Sequence, residues 1–551
     1  MSELHRFALE DGSDLTTLVA GLEQRPCFER EPDRTIERTV YDTFDWRLHA
    51  ERTVLEHERV IGGRRPRKGD EPVVSWLVWR SIDTGEVLGR LAVDEVPTFA
   101  WDLPDAPTLD RLAPILEMRA LLPLVTVQIE RASLRLVDDE GKTEARVVIE
   151  RARMQDSDEL LAPVVEVVPV RGYPRAADRL TELLAVQVVL RPVESDVVDE
   201  ALARAGFNPG DYSSKLKLRL DPAGHALDAV VAVLDALFAT MLVNEAGTRA
   251  DVDSEFLHDY RVAVRRTRSV LAMAKGVVPP PLLDELRREF KWLGDITTPT
   301  RDFDVYLLTY PQFEASLPES RRADLRPLRS FLVEHQRLAQ TELVAALDSP
   351  RYATLVDHYR RWRADPRREP AATDPEVVPD VERPAVEFAA ARTWSAYRSV
   401  VRDGRRITHE SPAESLHDLR KDAKKLRYAL ECFGSLFPAD EVGPLVKELK
   451  AVQDVLGEFQ DCEVQKGSLR GFGGAMVAEG GADSAPALLA MGYLIEHIDE
   501  RERVARDQFA DRFASFDAHH NRARFRRLFG PSSDDQQEDH PHEKRDMKDD
   551  T

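Results

Sequence analysis

The chain has 551 residues, 42% of them hydrophobic and 32% charged, which predicts a soluble protein of about two to four domains. Its net charge of −22 excludes indiscriminate binding to nucleic acid, because a polyanion is repelled unless basic groups are concentrated in one place. No run approaches the roughly 18 apolar residues of a membrane helix, and the first residues lack a secretory signal, so a cytoplasmic location is expected.

The first predicted domain, residues 1–190, has strand-like patterns between about 35 and 170. The stretch VVSWLVWRSIDTGEVLGRLAVDEV contains two β-rich runs around a DTGE turn, and TVQIERASLRLVDDEGKTEARVVIERARM contains two more around DDEGK. Both patterns predict antiparallel hairpins. A helix is predicted at 174–187, and the Pro-, Gly- and Ser-containing residues 191–221 are predicted to form a connector with a short helix around 196–205.

Beyond residue 222 the apolar residues recur every three or four positions, as in HALDAVVAVLDALFATML, which predicts helices. The Pro- and charge-rich stretch 364–384 separates two predicted helical parts, residues 222–363 and 385–530. The acidic tail 531–551 has almost no apolar residues and is predicted to be disordered.

The helical region contains an internal repeat. Residues 257–305 align with residues 416–464 at a constant offset of 159 without a gap, and 13 of the 49 positions are identical. Chance agreement would be a few positions. We therefore predict two helical half-domains related by approximate symmetry, each too open to bury its core alone.

Each copy of the repeat begins with a basic segment, LHDYRVAVRRTRSVL at 257–271 and LHDLRKDAKKLRYAL at 416–430. On a helix, spacings of i, i+3, i+7 and i+10 fall on one face. The first basic stripe is His258, Arg261, Arg265 and Arg268, and the second basic stripe is His417, Arg420, Lys424 and Arg427. If the halves pack about a pseudo-twofold axis, the stripes can line one groove or pore. Such a concentration of cations is costly unless an anion binds.

A solvated helix face is the simpler interpretation of one such stripe. Its retention in two copies whose neighbouring positions diverge favours an anion site. The secondary candidates beside the stripes are Arg266, Lys291, Lys425 and Lys450. The stripe histidines have no nucleophile or metal constellation beside them, so we interpret them as phosphate ligands and predict no catalytic residue there.

Metal and disulfide sites are not predicted. The aspartates Asp295, Asp302, Asp454 and Asp461 recur in both copies, but helix capping and salt bridges to arginine are the roles that we expect. The cysteines Cys27, Cys432 and Cys462 are far apart and form neither a CxxC pair nor an even framework.

The pattern HDxRVxxRRxR, followed by RDxDV and repeated as HDLRKxxKKLRYxLExF, resembles the CHAD domain over roughly residues 222–530. The resemblance implies an α-helical domain of two four-helix-bundle-like halves that binds inorganic polyphosphate through basic residues lining a central cavity. It implies no cofactor and is compatible with association with polyphosphate granules. The implied ligands are the two basic stripes, with Arg266 and Lys425 beside them.

The first 190 residues resemble the CYTH domain, a triphosphate-tunnel β-barrel, because TVYDTFDWRLHAERTVLEHE is similar to the family pattern YDTxDxxLxxxGxxLRxR. The family's metal- and triphosphate-binding ExExK corresponds here to Ser2, Leu4 and Arg6. The LRxR part of the family pattern corresponds to LEHE at residues 55–58 of this chain. Of a later ELEL motif of the family, only one glutamate, Glu166, is present here. The predicted fold class is therefore α+β and multidomain: an antiparallel β-barrel without its catalytic residues, then an all-α domain of two pseudo-symmetric helical-bundle halves.

The predicted function is non-catalytic binding of inorganic polyphosphate or a similar polyanion. One alternative is a metal-dependent triphosphatase acting in the barrel, although the missing carboxylates leave little to hold Mg²⁺. A second alternative is a nucleic-acid-binding protein, although the stripes lack the interleaved aromatic residues on which bases stack. The sequence specifies neither protein partners nor a preferred chain length.

Overall fold

The computed structural model describes residues 6–9, 15–63, 75–103, 107–157, 159–170, 172–173, 175–186, 190–192, 197–216, 218–368, 370–480 and 484–531. The chain divides into two compact units, Met1–Ser214 and Lys215–Thr551. This boundary falls inside the predicted connector. Ser2, Leu4 and nearly all of the predicted disordered tail lie outside the described residues.

The first unit is built on one antiparallel sheet. Its strands are β1 Arg6–Leu9, β2 Phe28–Arg30, β3 Arg34–Asp42, β4 Thr53–Gly63, β5 Trp76–Ser81, β6 Val87–Ala92, β7 Leu122–Val137, β8 Thr143–Met154, β9 Val164–Pro169 and β10 Leu190–Pro192. Its helices are α1 Leu15–Glu23, α2 Arg47–Ala50, α3 Pro107–Leu116, α4 Ala176–Ala185 and α5 Val197–Arg204, with a 3-10 helix at Ala100–Asp102. The strand order is β10-β1-β9-β8-β7-β3-β4-β5-β6, with β2 paired to β7. The sheet curls into a half-barrel.

The two predicted hairpins are confirmed. Strand β5 pairs with β6 around the DTGE turn, and β7 pairs with β8 around DDEGK. Asp138 stabilises the second turn because its Oδ1 accepts hydrogen bonds from the backbone N–H groups of Glu140 and Lys142. Gly141 in this turn has a φ of 77°, a left-handed conformation that favours glycine.

Alternating residues of the strands bury two different apolar clusters. One face packs Leu134 and Val147 against α1 and α4, and the other packs Val127 and Ala152 against α5. This alternation follows from the strand period of two, which sends successive side chains to opposite faces. The α5 face also carries Arg38 and the charged side chains around it.

The second unit is all-helical in its described residues. Its α-helices are α6 Ala226–Ala250, α7 Ser254–Met273, α8 Pro280–Ser316, α9 Glu319–Arg322, α10 Arg326–Leu347, α11 Pro350–Ala364, α12 Ala385–Gly404, α13 Ala413–Phe433, α14 Ala439–Gly480, α15 Ala485–Phe516 and α16 His519–Phe529. Three short 3-10 helices lie at Ala323–Leu325, Pro370–Ala372 and Gly434–Leu436. The predicted fold class, a β domain followed by an all-α domain of two halves, is confirmed.

The internal repeat is visible in the helix boundaries. Helices α6, α7, α8 and α10 begin at residues 226, 254, 280 and 326, and α12, α13, α14 and α15 begin at 385, 413, 439 and 485, each 159 positions later. The backbone also pairs across the symmetry axis. Ala226 N donates to Arg383 O at 2.8 Å, and Ala385 N donates to Gly224 O at 2.9 Å. Each bond is the symmetry equivalent of the other, so a pseudo-twofold axis passes between His225 and Pro384, which form an antiparallel bridge.

Helix α6 is long and apolar enough to cross a membrane by length and composition, with a mean hydropathy of 2.1 in its most apolar stretch. Half of that stretch is buried inside the protein. Two aspartates interrupt it and bind arginine: Asp228 contacts Arg367 at 2.8 Å, and Asp235 contacts Arg363 at 2.8 Å. The buried share of α6 packs in the main core of the second unit.

Candidate functional site

Helix α7 presents the first basic stripe because its opposite side is anchored in the core. Asp253 caps its N-terminus by accepting hydrogen bonds from the N–H groups of Glu255 and Phe256. Leu257 and Val264 are 2–3% exposed and pack in the core of the unit. These anchors leave His258, Arg261, Arg265 and Arg268 on the opposite, accessible side.

Helix α13 repeats this arrangement. Leu419 and Leu426 are fully buried, and the second basic stripe lies on the other side of the helix. Helices α7 and α13 pack against each other, which brings the two stripes together. The guanidinium of Arg265 lies 6.0 Å from the ring centre of Tyr428, and that of Arg427 lies 5.5 Å from the same ring.

The stripe histidines make equivalent contacts in the two copies. His258 Nδ1 lies 2.9 Å from Arg301 Nη2, and His417 Nδ1 lies 2.5 Å from Gln460 Oε1. Arg301 and Gln460 occupy equivalent positions of the repeat. Arginine can only donate a hydrogen bond, so His258 Nδ1 accepts and the proton of the neutral ring resides on Nε2. The imidazole therefore retains Nε2–H as a donor.

Arg261 is held by its neighbours on α8. Its Nη1 donates to Thr297 Oγ1 at 2.7 Å, Thr298 Oγ1 at 3.0 Å and Gly294 O at 3.1 Å. Burial lowers the pKa of Arg261 to about 10, partly opposed by the nearby carboxylate of Asp302. The side chain thus remains charged at neutral pH in a fixed orientation.

The second stripe concentrates positive charge more strongly. Arg420 Nη2 lies 3.3 Å from Asp461 Oδ1, and burial lowers the pKa of this arginine. Burial, together with the positive charges of Arg420 and Arg265, lowers the pKa of Lys424 to about 8. Arg265 belongs to the other half, so the two stripes interact electrostatically across the α7–α13 contact.

Three stripe cations have no anionic neighbour in contact. Arg265, Arg268 and Lys424 form neither an ion pair nor a hydrogen bond with any residue that the structure describes. Since cations are normally neutralised when they are brought together, this cluster can accept an anion with several negative oxygens.

Residues 232–470 match the model of the CHAD domain. This chain contains a CHAD domain. The uncharacterized protein Rv2226 of Mycobacterium tuberculosis is 28% identical over 267 residues, which cover 47% of each chain. The chain thus spans about half the length of the curated relatives that it matches.

Two solved structures are similar to parts of the chain. The CHAD domain from the plant Ricinus communis has a TM-score of 0.42 and 25% identity, covering 57% of this chain and 96% of that one. The PH1819 protein from Pyrococcus horikoshii OT3, similar to the N-terminal unit, has a TM-score of 0.23 and 12% identity, covering 37% of this chain and 96% of that one.

The secondary candidates differ from the stripe residues because most of them have carboxylate partners. Arg266 Nη2 lies 3.0 Å from Glu431 Oε2 on α13. Lys425 pairs with Asp422 at 2.8 Å on the same helix, and Lys291 pairs with Asp295 at 2.7 Å along α8. Lys450 is exposed on α14. Arg266, Lys425 and Lys291 are therefore less available to an anion than Arg265 or Lys424, whereas no ion pair with a described residue neutralises Lys450.

Sequence reasoning missed three side chains that shape this part of the CHAD domain: Arg301, Tyr428 and Gln460. Arg301 and Gln460 differ between the copies, so a comparison based on identical positions passed over them. Tyr428 stands in the quoted segment, but its contact with Arg265 depends on the packing of α7 against α13. Asp461 forms the expected salt bridge to an arginine, Arg420, whereas Asp295 pairs with Lys291.

The sheet of the first unit holds a second charged cluster, on the face that packs against α5. Arg38 is 3% exposed and lies 2.7 Å from Glu58 and 3.3 Å from Glu150. Arg131 Nε donates to Glu150 at 2.8 Å, and Arg80 contacts the fully buried Glu56. The arginine neighbours hold the pKa of Glu150 at about 2 despite its burial.

The outer end of this face contains the last carboxylate that the CYTH resemblance had singled out. Glu166 on β9 lies 3.6 Å from Arg6 on β1, where the family's lysine-containing motif would stand. The described residues include no group of three or more His, Cys, Asp or Glu side chains placed to hold a metal ion.

Proposed function

We propose that the CHAD domain binds inorganic polyphosphate, or a phosphate polyanion of the same chemistry, between the two basic stripes. The observation that supports this most directly is the approach of Arg265 on α7 to Arg420 and Lys424 on α13. Three of the stripe cations have no ion-pair partner in the described structure. A chain of phosphates supplies the missing negative charge along the length of both helices.

Phosphate suits this surface for a geometric reason. Each phosphoryl group offers oxygens in several directions, and guanidinium groups bind them with two parallel hydrogen bonds. The stripe residues project from two helices that pack against each other and are each anchored in a core, so the donors are already oriented before the anion arrives. Preorganised donors lose little side-chain entropy on binding.

We propose further that the N-terminal unit is not a triphosphatase. The carboxylates on the α5 face of its sheet are engaged by arginines: Glu58 and Glu150 by Arg38 and Arg131, and Glu56 by Arg80. A carboxylate held by arginine is a poor ligand for Mg²⁺ unless the pair opens first. This unit then serves as a scaffold or a partner surface.

Titration of the full chain with long-chain polyphosphate, triphosphate and RNA side by side tests the proposal. We expect log affinity for polyphosphate to fall linearly with log salt between about 50 and 200 mM, with a slope set by the number of phosphates neutralised. Affinity that does not change with salt, or RNA binding stronger than polyphosphate binding, would reject the polyphosphate site. Phosphate release that depends on Mg²⁺ or Mn²⁺ and disappears in Glu166→Gln would reject the non-catalytic assignment.

A further inference from the structure

The buried polar side chains of the second half that have no hydrogen-bond partner among the described residues include Tyr428 and Gln453. Tyr428 on α13 is 2% exposed, and its hydroxyl oxygen is unpartnered. Gln453 on α14 is 7% exposed, and both its Nε2 and its Oε1 are unpartnered. Burying such groups without a partner is unfavourable, so a ligand that supplied their missing partners would be stabilised here.

Tyr428 adjoins the second basic stripe, and Gln453 lies on α14, which packs against the same helix α13. The guanidinium groups of Arg265 and Arg427 lie over the Tyr428 ring, and Arg420 also interacts electrostatically with this tyrosine. The Nε atoms of Arg420 and Arg427 are themselves buried without a hydrogen-bond acceptor, although Arg427 Nε forms an ion pair with Glu431 Oε1 at 3.4 Å. Donors with unused hydrogen-bonding capacity, charged and neutral, thus lie around Tyr428.

The two equivalent positions of the first half lack such an unpartnered side chain. The repeat equivalent of Tyr428 is Ser269, whose hydroxyl donates a hydrogen bond to the backbone carbonyl of Arg265 at 3.1 Å. The equivalent of Gln453 is Gly294, whose carbonyl accepts from Arg261. A Cβ atom on Gly294 would lie 2.9 Å from Arg268 Nη1, and Gln453 and Arg427 occupy the equivalent positions of the second half.

We propose that Tyr428 Oη and Gln453 Nε2 donate hydrogen bonds to oxygens of a bound phosphoryl group, so that the second half contains the phosphate-recognising pocket. The first half then contributes mainly charge, through Arg265 and Arg268. This inference rests on the proposed polyphosphate binding and makes the two halves unequal. A hydroxyl and an amide fix the position of one phosphoryl group, whereas a row of exposed cations attracts any polyanion.

The variants Tyr428→Phe and Gln453→Met test this assignment, because both remove the donor and keep the volume. We expect each to weaken polyphosphate binding by about tenfold, the effect of a hydrogen bond to a charged group. The slope of log affinity against log salt should stay at the wild-type value, since neither residue is charged. The melting temperature should be unchanged or higher, because an unpartnered buried polar group has been removed.

Tyr359→Phe is the matched control. The Tyr359 hydroxyl donates to Asp235 at 3.2 Å in the core of the first half, so this variant should lose stability and keep wild-type affinity. Polyphosphate binding by the wild type combined with unchanged affinity in Tyr428→Phe and Gln453→Met would overturn the inference and leave the proposed function standing. A lowered melting temperature or a reduced salt slope in Tyr428→Phe would also overturn it. Absence of salt-dependent binding in the wild type would instead reject the proposed function.

Discussion

Arginine has opposite surroundings in the two units of this protein. On the sheet, Arg38 is 3% exposed and contacts three glutamates, with Glu58 at 2.7 Å, Glu150 at 3.3 Å and Glu56 at 3.6 Å. In the CHAD domain, Arg265 is exposed and has no ion pair with any described residue. The sheet neutralises its arginines internally, whereas the CHAD domain leaves several of its cations without a counter-charge.

The buried charges of the sheet are needed for the stability of the fold, whereas the stripe charges lack a counter-charge until a ligand binds. A buried arginine bound to carboxylates on neighbouring strands is needed for stability, because either partner alone would be an uncompensated buried charge. A cluster of unpaired cations on a helix surface contributes no such stabilisation. Substitutions in the two clusters should therefore affect different properties of the protein.

The largest effect is expected for Arg38→Ala in the sheet. Removing this guanidinium leaves Glu58 and Glu150 with less compensation in a buried position, which should lower the free energy of unfolding of the first unit by about 3–5 kcal/mol. Thermal unfolding and hydrogen exchange of β3 and β4 measure this loss, and polyphosphate affinity should not change.

The control is Arg59→Ala, which removes an exposed ion pair with Glu37 on the same strands. This variant should lower the free energy of unfolding by under about 1 kcal/mol. Equal losses in the two variants would contradict the distinction.

The next effect concerns binding by Arg265→Ala and Lys424→Ala. Each should weaken long-chain polyphosphate binding by about 1–3 kcal/mol, the free energy of a hydrogen bond to a charged group, without lowering stability. The loss should be smaller for triphosphate, which can occupy one stripe alone. Affinity measured against chain length for both single variants and the double variant tests this expectation.

The matched control for this series is Lys421→Ala, which removes an exposed cation of α13 that is already paired with Asp418. Its affinity should stay within about 0.5 kcal/mol of the wild type. Unchanged long-chain binding in the double variant would reject a site formed by both stripes. An effect from one copy alone would assign the other copy a structural role.

The smallest effect is expected from pH. Burial and neighbouring cations lower the pKa of Lys424 from 10.5 to about 8. Above pH 8 the lysine loses its charge, so polyphosphate affinity should fall by up to about tenfold between pH 7 and 9.5. The free energy of unfolding should instead rise between pH 8 and 10.5, because there the unfolded chain binds more protons than the folded one.

Lys424→Arg separates this lysine from other titrating groups, since arginine stays charged throughout that range. Its polyphosphate affinity should be nearly constant between pH 7 and 9.5, as measured by the same titration. A wild-type affinity that is also constant, or a variant affinity that falls as steeply, would show that Lys424 does not face the anion.

Structural features that depend on short segments or on a constant repeat offset could be predicted from the sequence, whereas contacts between distant residues could not. The stripes follow from helical spacing within segments of about eleven residues, and the duplication follows from a constant offset, so both were readable from the sequence. The engagement of Arg38 with Glu150 was not readable, because the two residues are 112 positions apart and meet through the register of β3, β7 and β8. The LEHE segment was interpreted as a lost motif, whereas its Glu56 and Glu58 lie in the arginine cluster.

Burial was the second property that sequence could not supply. In the sequence, Tyr428 is not distinguishable from the apolar residues of an amphipathic helix. Gln453 is likewise not distinguishable from the other polar residues of the next helix. Their importance arises because α13 and α14 pack so that a hydroxyl and an amide are enclosed without partners. Polar groups in the core are recognisable only after the packing is known.

The backbone pairing of His225 with Pro384 also sets the order in which the CHAD domain can be completed. The main core combines residues of α6 and α7 with Phe388 of α12 and Phe433 of α13, so it cannot close until the second half has been synthesised. At about 5–20 residues per second, the 159 positions between equivalent residues take roughly 10–30 s. During that interval α6 can pack against α7 but lacks its contacts with α12. A nascent chain stalled in the 364–384 connection would accordingly expose this helix to chaperones and proteases.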